Sequence, residues 1–171
     1  LPSPALLGDH QYINAASAIT AALMLGLNGD AIANGIANVK WPSRMERVNK
    51  PFVPKGFELW LDGAHNAAGA FVIANYIKQA WADKPIYVIF GTTKGRDVAG
   101  FLANFKDVAT EIAVSKIAFE PASYESEEML AQFAAGSSHA NLKEAIGYFG
   151  TKKPGRILCI GSLFMRGDLY T

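Results

Sequence analysis

The chain has 171 residues, 50% of them hydrophobic, with 16 Lys and Arg against 15 Asp and Glu and a net charge of +1. At roughly 100–200 residues per domain this is one globular domain with room for a piece of another. The near-neutral balance excludes the basic field of a sequence-independent nucleic-acid binder and the acidic composition of a disordered tail.

Leu1-Pro2-Ser3-Pro4 opens the chain without a Met, which leads us to expect a piece of a longer protein. Asp9 stands where a helix N-cap belongs, since its carboxylate can accept from the first-turn N–H groups. His10 to Leu25 then reads as an Ala-rich helix stopped by Gly26. Its apolar residues go most of the way round, so it wants burial on more than one side. Ala15 to Leu27, broken by Ser17 and Thr20, falls short of the roughly 18–20 residues of a membrane span. A second helix runs from Asp30 to Asn38. Pro42 turns Trp41 away from helical geometry, and we place a boundary here: a helical unit over 1–40 and an α/β unit over 41–171.

The second unit alternates. Phe57–Leu61 reads as a strand and Ala67–Ala82 as a helix. Ile86–Phe90 is an apolar strand ending at Gly91. Val98, Phe101, Leu102 and Phe105 follow at helical spacing, with Asp97 as a cap. Glu111–Val114 is a short strand and Ser126–Ala135 a helix with Glu127 and Glu128 in its first turn. Asn141 caps a last helix carrying Leu142, Ile146 and Phe149 inward, with Glu144 three residues on. Ile157–Ile160 is another apolar strand, ending at Gly161-Ser162. Strands apolar throughout are buried on both faces, and alternation with helices implies parallel pairing. The expected fold is therefore α/β, a mostly parallel, Rossmann-like sheet flanked by helices.

Ligands of such sheets meet the loops at the C-terminal strand ends, which selects three of them. In the first, Asp62-Gly63-Ala64-His65-Asn66, Asp62 brings a carboxylate and His65 a group that titrates near neutrality. Taken alone, the loop reads equally as a polar turn with a helix cap. As half of a metal site it lacks support, because His10 and His139 are distant in sequence. In the second, residues 91–97, two glycines, Lys94 and Arg96 precede a helix, a setting that attracts anions; an ordinary solvated loop has the same composition. Neither the P-loop pattern nor Gly-x-Gly-x-x-Gly occurs in the chain. The third offers the Ser162 hydroxyl, without a Gly-x-Ser-x-Gly elbow around it. Cys159, alone in the chain, can form no internal disulfide and reads as a core thiol; a reducing, cytoplasmic compartment is the expectation. Arg44, at the boundary, can fork onto phosphate or serve as an ion-pair partner. Asn14, inside the first helix, is either a solvent-facing amide or one that reads a purine edge.

Four blocks combine these residues: Leu7 to Ala16, Trp41 to Val48, Leu61 to Asn66, and Cys159 to Leu163. In this order they resemble the second half of the folylpolyglutamate synthase/dihydrofolate synthase family of the Mur ligase superfamily. They depart from its usual form at Ser43, where Gly is common, and at Ala67, where Pro is. The resemblance implies that residues 1–40 are the helical end of a central ATP-binding domain and 41–171 the C-terminal glutamate-ligase domain. It implies an ATP-dependent ligase that adds L-glutamate to folate or dihydropteroate through an acyl phosphate. Asn14, Arg44 and Asp62 would contact ATP, and His65 would act close to the nucleotide or the incoming glutamate. Lys94, resembling a superfamily Lys that binds the amino-acid carboxylate, and Ser162 would serve the glutamate. The P-loop and the magnesium ligands would lie upstream. This segment is then expected to dock on that ATP-binding domain, to be inactive alone, and to have neither nucleic-acid nor membrane partners. A stand-alone ligand-binding or regulatory module of the same fold, and a Mur-type ligase acting on a peptidoglycan precursor, are the alternatives.

Overall fold

In the computed structural model, which describes residues 1–133 and 136–171, the apolar runs of the second unit become the centre of a six-stranded sheet. The strands are β1 (Glu46–Val48), β2 (Glu58–Asp62), β3 (Ile86–Phe90), β4 (Glu111–Ser115), β5 (Ser137–His139) and β6 (Arg156–Ile160). Their order is β1-β2-β6-β3-β4-β5. β1 is antiparallel to β2, and every other pairing is parallel.

Each face of the sheet has its own cover, which is why β3 is buried at all five positions. Val88, Phe90, Leu158 and Ile160 pack on one side against α3 (Ala67–Ala80), α4 (Val98–Leu102) and Met129 of α5 (Ser126–Gln132). Tyr87, Ile89, Ile157 and Cys159 face the other way, onto α6 (Leu142–Gly150) and α7 (Met165–Tyr170). This is the two-residue period of a strand with both faces used. Asn66, Asp97 and Asn141 cap α3, α4 and α6, their side chains accepting from Gly69, Gly100 and Glu144 N–H groups.

The first unit is a pair of helices, α1 (His10–Met24) and α2 (Gly29–Asn38), the latter capped by Asn28. Two expectations need correction. Asp9 is in helical geometry and makes no side-chain cap bond. α1 also buries only Gln11 among the described residues, while Ile13, Met24 and Leu25 are largely exposed. The end of the 98–105 run is a 3₁₀ turn, Ala103–Phe105. Trp81 ends α3 as its C-cap, and the expected helix over 126–135 is observed to Gln132, Ala134 and Ala135 lying outside the described residues.

The register aligns three strand ends. Asp62, Ile160 and Phe90 are level across β2, β6 and β3, and each is followed by a glycine: Gly63, Gly161 and Gly91. A Cβ at Gly161 would lie 2.4 Å from Gly91 O, and one at Gly91 2.7 Å from Ser115 O. The glycines let the loops after these strands cross in close contact.

Candidate functional site

The site is built on the turn that carries Arg44. Ser43 and Met45, on either side of it, both adopt left-handed backbone, with φ of 58° and 44°. Non-glycine residues enter that region at a cost, so something must hold the turn. Ser43 N donates to Glu46 Oε2 at 2.8 Å, Met45 N to Asp62 Oδ2 at 2.9 Å, and Gly63 N to Ser43 O at 2.8 Å. Arg44 Nη1 donates to Ser43 O at 3.2 Å. Glu46 is held in turn by the Tyr170 hydroxyl at 2.5 Å and by Arg166 Nε at 3.4 Å.

Asp62 is buried, and its second oxygen accepts from Ala64 N at 2.8 Å. Burial pushes its carboxyl above the usual range, against the opposing pull of the two backbone N–H groups, Arg44 and His10. Each of its oxygens is engaged by the backbone, so Asp62 fastens the Arg44 turn to the loop after β2. Gly63 has no room for a side chain: a Cβ would lie 2.1 Å from Leu163 Cδ2 and 3.0 Å from Arg44 Nη1. His65, half-buried, donates Nδ1–H to Gly63 O at 3.0 Å, which leaves Nε2 free to accept.

A cavity of about 350 Å³ brings Asn14, Arg44, Asp62 and His65 together with His10 and the first turn of α3. The first-turn N–H groups of a helix are partial positive charge. With the Arg44 guanidinium beside them and the Asp62 oxygens occupied, the cavity suits an anion such as phosphate. Asn14 is exposed, and its amide adds a donor and an acceptor for a heterocycle edge. The residues present therefore fit a nucleotide. Among the described residues, no three His, Cys, Asp or Glu side chains converge as metal ligands.

Lys94 and Ser162 lie outside this lining. Lys94, on the loop after β3, pairs with Glu128 at 3.7 Å, and its backbone N donates to Ala122 O. Ser162, buried at the end of β6, accepts from Phe164 N at 3.2 Å. His10, Gln11 and Glu46 were not singled out from the sequence. The available signal was that His10 and Asn14 stand four residues apart, on one face of a helix. His10 Nδ1 is buried without a hydrogen-bond partner. Burial, followed by the opposed effects of Asp62 and Arg44, keeps the ring's affinity for a proton below its ordinary value.

Level glycine strand ends, a clamped arginine and an anion-suited cavity lie together at the C-terminal edge of a mostly parallel α/β sheet, where such sheets bind their ligands. The family model described as Mur ligase, glutamate ligase domain matches residues 43–163, and the chain belongs to this family. It is 29% identical over 174 residues to the dihydrofolate synthase/folylpolyglutamate synthase of Bacillus subtilis, covering 96% of this chain and 39% of that protein. It is 34% identical over 112 residues to the UDP-N-acetylmuramyl-tripeptide synthetase of Lacticaseibacillus paracasei, covering 64% of this chain and 21% of that protein. The structure of E. coli FolC in complex with DHPP and ADP superposes with a TM-score of 0.80 at 26% identity, over 96% of this chain and 38% of that one. The chain thus spans about two fifths or less of the length of these relatives. Among the described residues no helix is long and apolar enough to cross a membrane.

Proposed function

We propose that this chain is the glutamate-ligase portion of an ATP-dependent ligase that joins L-glutamate to folate or dihydropteroate through an acyl phosphate. Residues 1–40 then belong to the central ATP-binding domain and 41–171 to the C-terminal domain that closes on it. The observation that carries the reading is the convergence of Asn14, Arg44 and His65 on one cavity, with Asp62 holding the Arg44 turn in place. Arg44 balances phosphate charge, Asn14 meets the base, and His65 Nε2 faces the reacting groups as a proton acceptor. Lys94 and Ser162, on neighbouring strand ends, hold the incoming glutamate. Magnesium, with ligands supplied upstream, would add phosphate charge neutralisation. Closure of the two domains would exclude water from the acyl phosphate, whose hydrolysis is the competing reaction.

The test is a steady-state assay on the complete protein with ATP, L-glutamate and dihydropteroate or folate. Arg44→Ala removes a charge-assisted contact and raises the ATP requirement about 10- to 150-fold. Wild-type kinetics in that variant would remove Arg44 from the nucleotide site. The similarity to UDP-N-acetylmuramyl-tripeptide synthetases favours a second reading, in which the acceptor is a peptidoglycan precursor. Repeating the assay with a peptidoglycan-precursor acceptor in place of dihydropteroate or folate decides it, since only one acceptor class supports amino-acid-dependent ADP release.

A further inference from the structure

Asp62 and Glu46 hold the strained Arg44 turn from opposite sides. Asp62, at the end of a central strand, takes the Met45 N–H. Glu46 takes the Ser43 N–H at 2.8 Å from the edge strand β1, which is three residues long. A flexible side chain on so short a strand needs a second partner to stay in one rotamer. That partner stands 124 residues further along the chain, where the Tyr170 hydroxyl donates to Glu46 Oε1 at 2.5 Å. Arg166 Nε, half-exposed and 3.4 Å from Oε2, adds little to the hold on Glu46. Its guanidinium lies over the Tyr170 ring, 4.2 Å from the centroid, with Lys50 Nζ at 4.6 Å. Burial, and after it the bond to Glu46, raise the Tyr170 hydroxyl above its ordinary value of 10, so it stays a donor at neutral pH. The helix that carries it is itself anchored. Met165 and Leu169 of α7 are buried, and Asp168 Oδ2 accepts from Ala118 N at 2.9 Å.

The connection ends on the guanidinium. Glu46 fixes the N–H of Ser43, and the carbonyl of the same residue accepts from Arg44 Nη1 at 3.2 Å. Ser43 is held at φ of 58°, which a serine leaves when nothing restrains it. Releasing its N–H therefore lets the residue relax and carries away the oxygen that orients Arg44. We propose that Tyr170 is a positioning residue for the nucleotide site: its hydroxyl, acting through Glu46 and Ser43, holds the Arg44 guanidinium in the direction that meets phosphate. This rests on the nucleotide-site reading above. Tyr170 is outside the cavity lining, so its effect on ATP passes through Arg44. The gain is preorganisation, because a cation already aimed at the phosphate loses no freedom when the phosphate arrives.

The experiment is a double-mutant cycle in the complete protein. It measures kcat/KM for ATP and KM for L-glutamate in the wild type, Tyr170→Phe, Arg44→Ala and the double variant. Phenylalanine keeps the ring beside Arg166 and Lys50 and deletes only the hydroxyl. Tyr170→Phe lowers kcat/KM for ATP about two- to tenfold, the range of one lost hydrogen bond, and leaves KM for glutamate unchanged. In the Arg44→Ala background the same substitution changes kcat/KM for ATP by less than about twofold, because the residue through which it acts is gone. A Tyr170→Phe protein with wild-type kcat/KM for ATP overturns the proposal. So does an equal loss in both backgrounds, or a matching rise in KM for glutamate, which is what a loosened fold produces. If Tyr170→Phe does not fold, Glu46→Asp takes its place in the cycle with the same outcomes, since its shorter side chain cannot span Ser43 N and the Tyr170 hydroxyl. An Arg44→Ala protein with wild-type ATP kinetics overturns the nucleotide-site reading itself. That result is distinct from additivity between two variants that each impair the use of ATP.

Discussion

Asp62 and Met45 are joined across 17 residues by a buried hydrogen bond of 2.9 Å from the Met45 N–H to the carboxylate. The bond ties the end of a central strand to a turn that would not hold its shape alone, because Met45 has φ of 44°. Arg44 reaches the cavity only from that turn. Asp62→Asn leaves one carbonyl oxygen for two backbone donors, Met45 N and Ala64 N, and sets an NH₂ against the other. The expected loss is about 1–3 kcal/mol of unfolding free energy, the cost of an unmatched buried donor. Urea titration measures it. An unchanged midpoint and slope would show that the carboxylate fastens nothing.

Ser43 is the other strained position, with φ of 58° and almost complete burial. Left-handed backbone costs an L-residue about 1–2 kcal/mol, and glycine returns about 0.5–1 kcal/mol of that through the entropy of the unfolded chain. Ser43→Gly should therefore stabilise the protein by about 0.5–1 kcal/mol. Ser43→Val, with a β-branched side chain, should do the reverse and more strongly. Thermal melts of both variants check the order. A Val variant as stable as the Gly variant would mean that the turn relaxes out of the left-handed region.

The long elements were legible because their signals were local. Ile86–Phe90 shows as an apolar run, and Asn66, Asp97 and Asn141 announce the helices they cap. What escaped was set by tertiary contact. β1 and β5 are three residues each, Glu-Arg-Val and Ser-Ser-His, too short and polar to carry a period, and they exist as edge strands because a neighbour pairs them. α7 is short and holds Asp168 in its buried face. At the site, residues 62–66 could be read as chemistry-bearing, but the division of labour within them could not. Asp62 has both oxygens taken by backbone, Asn66 spends its Oδ1 on a cap, and His65 keeps Nε2 as an acceptor. The burial of Gln11 could not be read from α1, whose sequence is apolar almost all round.

Glu46 should make the Arg44 turn sensitive to acid. Burial alone would raise its carboxyl, but hydrogen bonds from Tyr170, Ser43 N and Arg166 outweigh it and hold the group below its ordinary value of 4.5. A carboxyl depressed in the folded state binds fewer protons there than in the unfolded chain. Its contribution is complete above the unfolded value and is lost as pH falls through the folded one. Stability should therefore decline below about pH 4.5 with a share due to this residue. Glu46→Gln should lose stability at pH 7 and show a shallower slope below that value. Parallel slopes for the two proteins, from denaturant midpoints at pH 3 to 7, would exclude Glu46 as the source.

Gly63→Ala separates space from backbone strain, because Gly63 is not among the glycines of positive φ. The obstacle is steric: Leu163 Cδ2 at 2.1 Å and Arg44 Nη1 at 3.0 Å from the added Cβ. A side chain forced into packed space costs about 1–3 kcal/mol, and here the displaced atoms include the guanidinium that faces the cavity. Adenine-nucleotide affinity of the complete protein should fall in Gly63→Ala. Because Leu163 is the closer obstacle and is half-exposed, Leu163→Ala in the same chain should restore most of the stability. Affinity should recover less, since Arg44 Nη1 is still crowded at 3.0 Å. Calorimetric titration and melting of the single and double variants distinguish the two contacts. Full recovery of affinity in the double variant would assign the whole effect to Leu163 and none to the arginine.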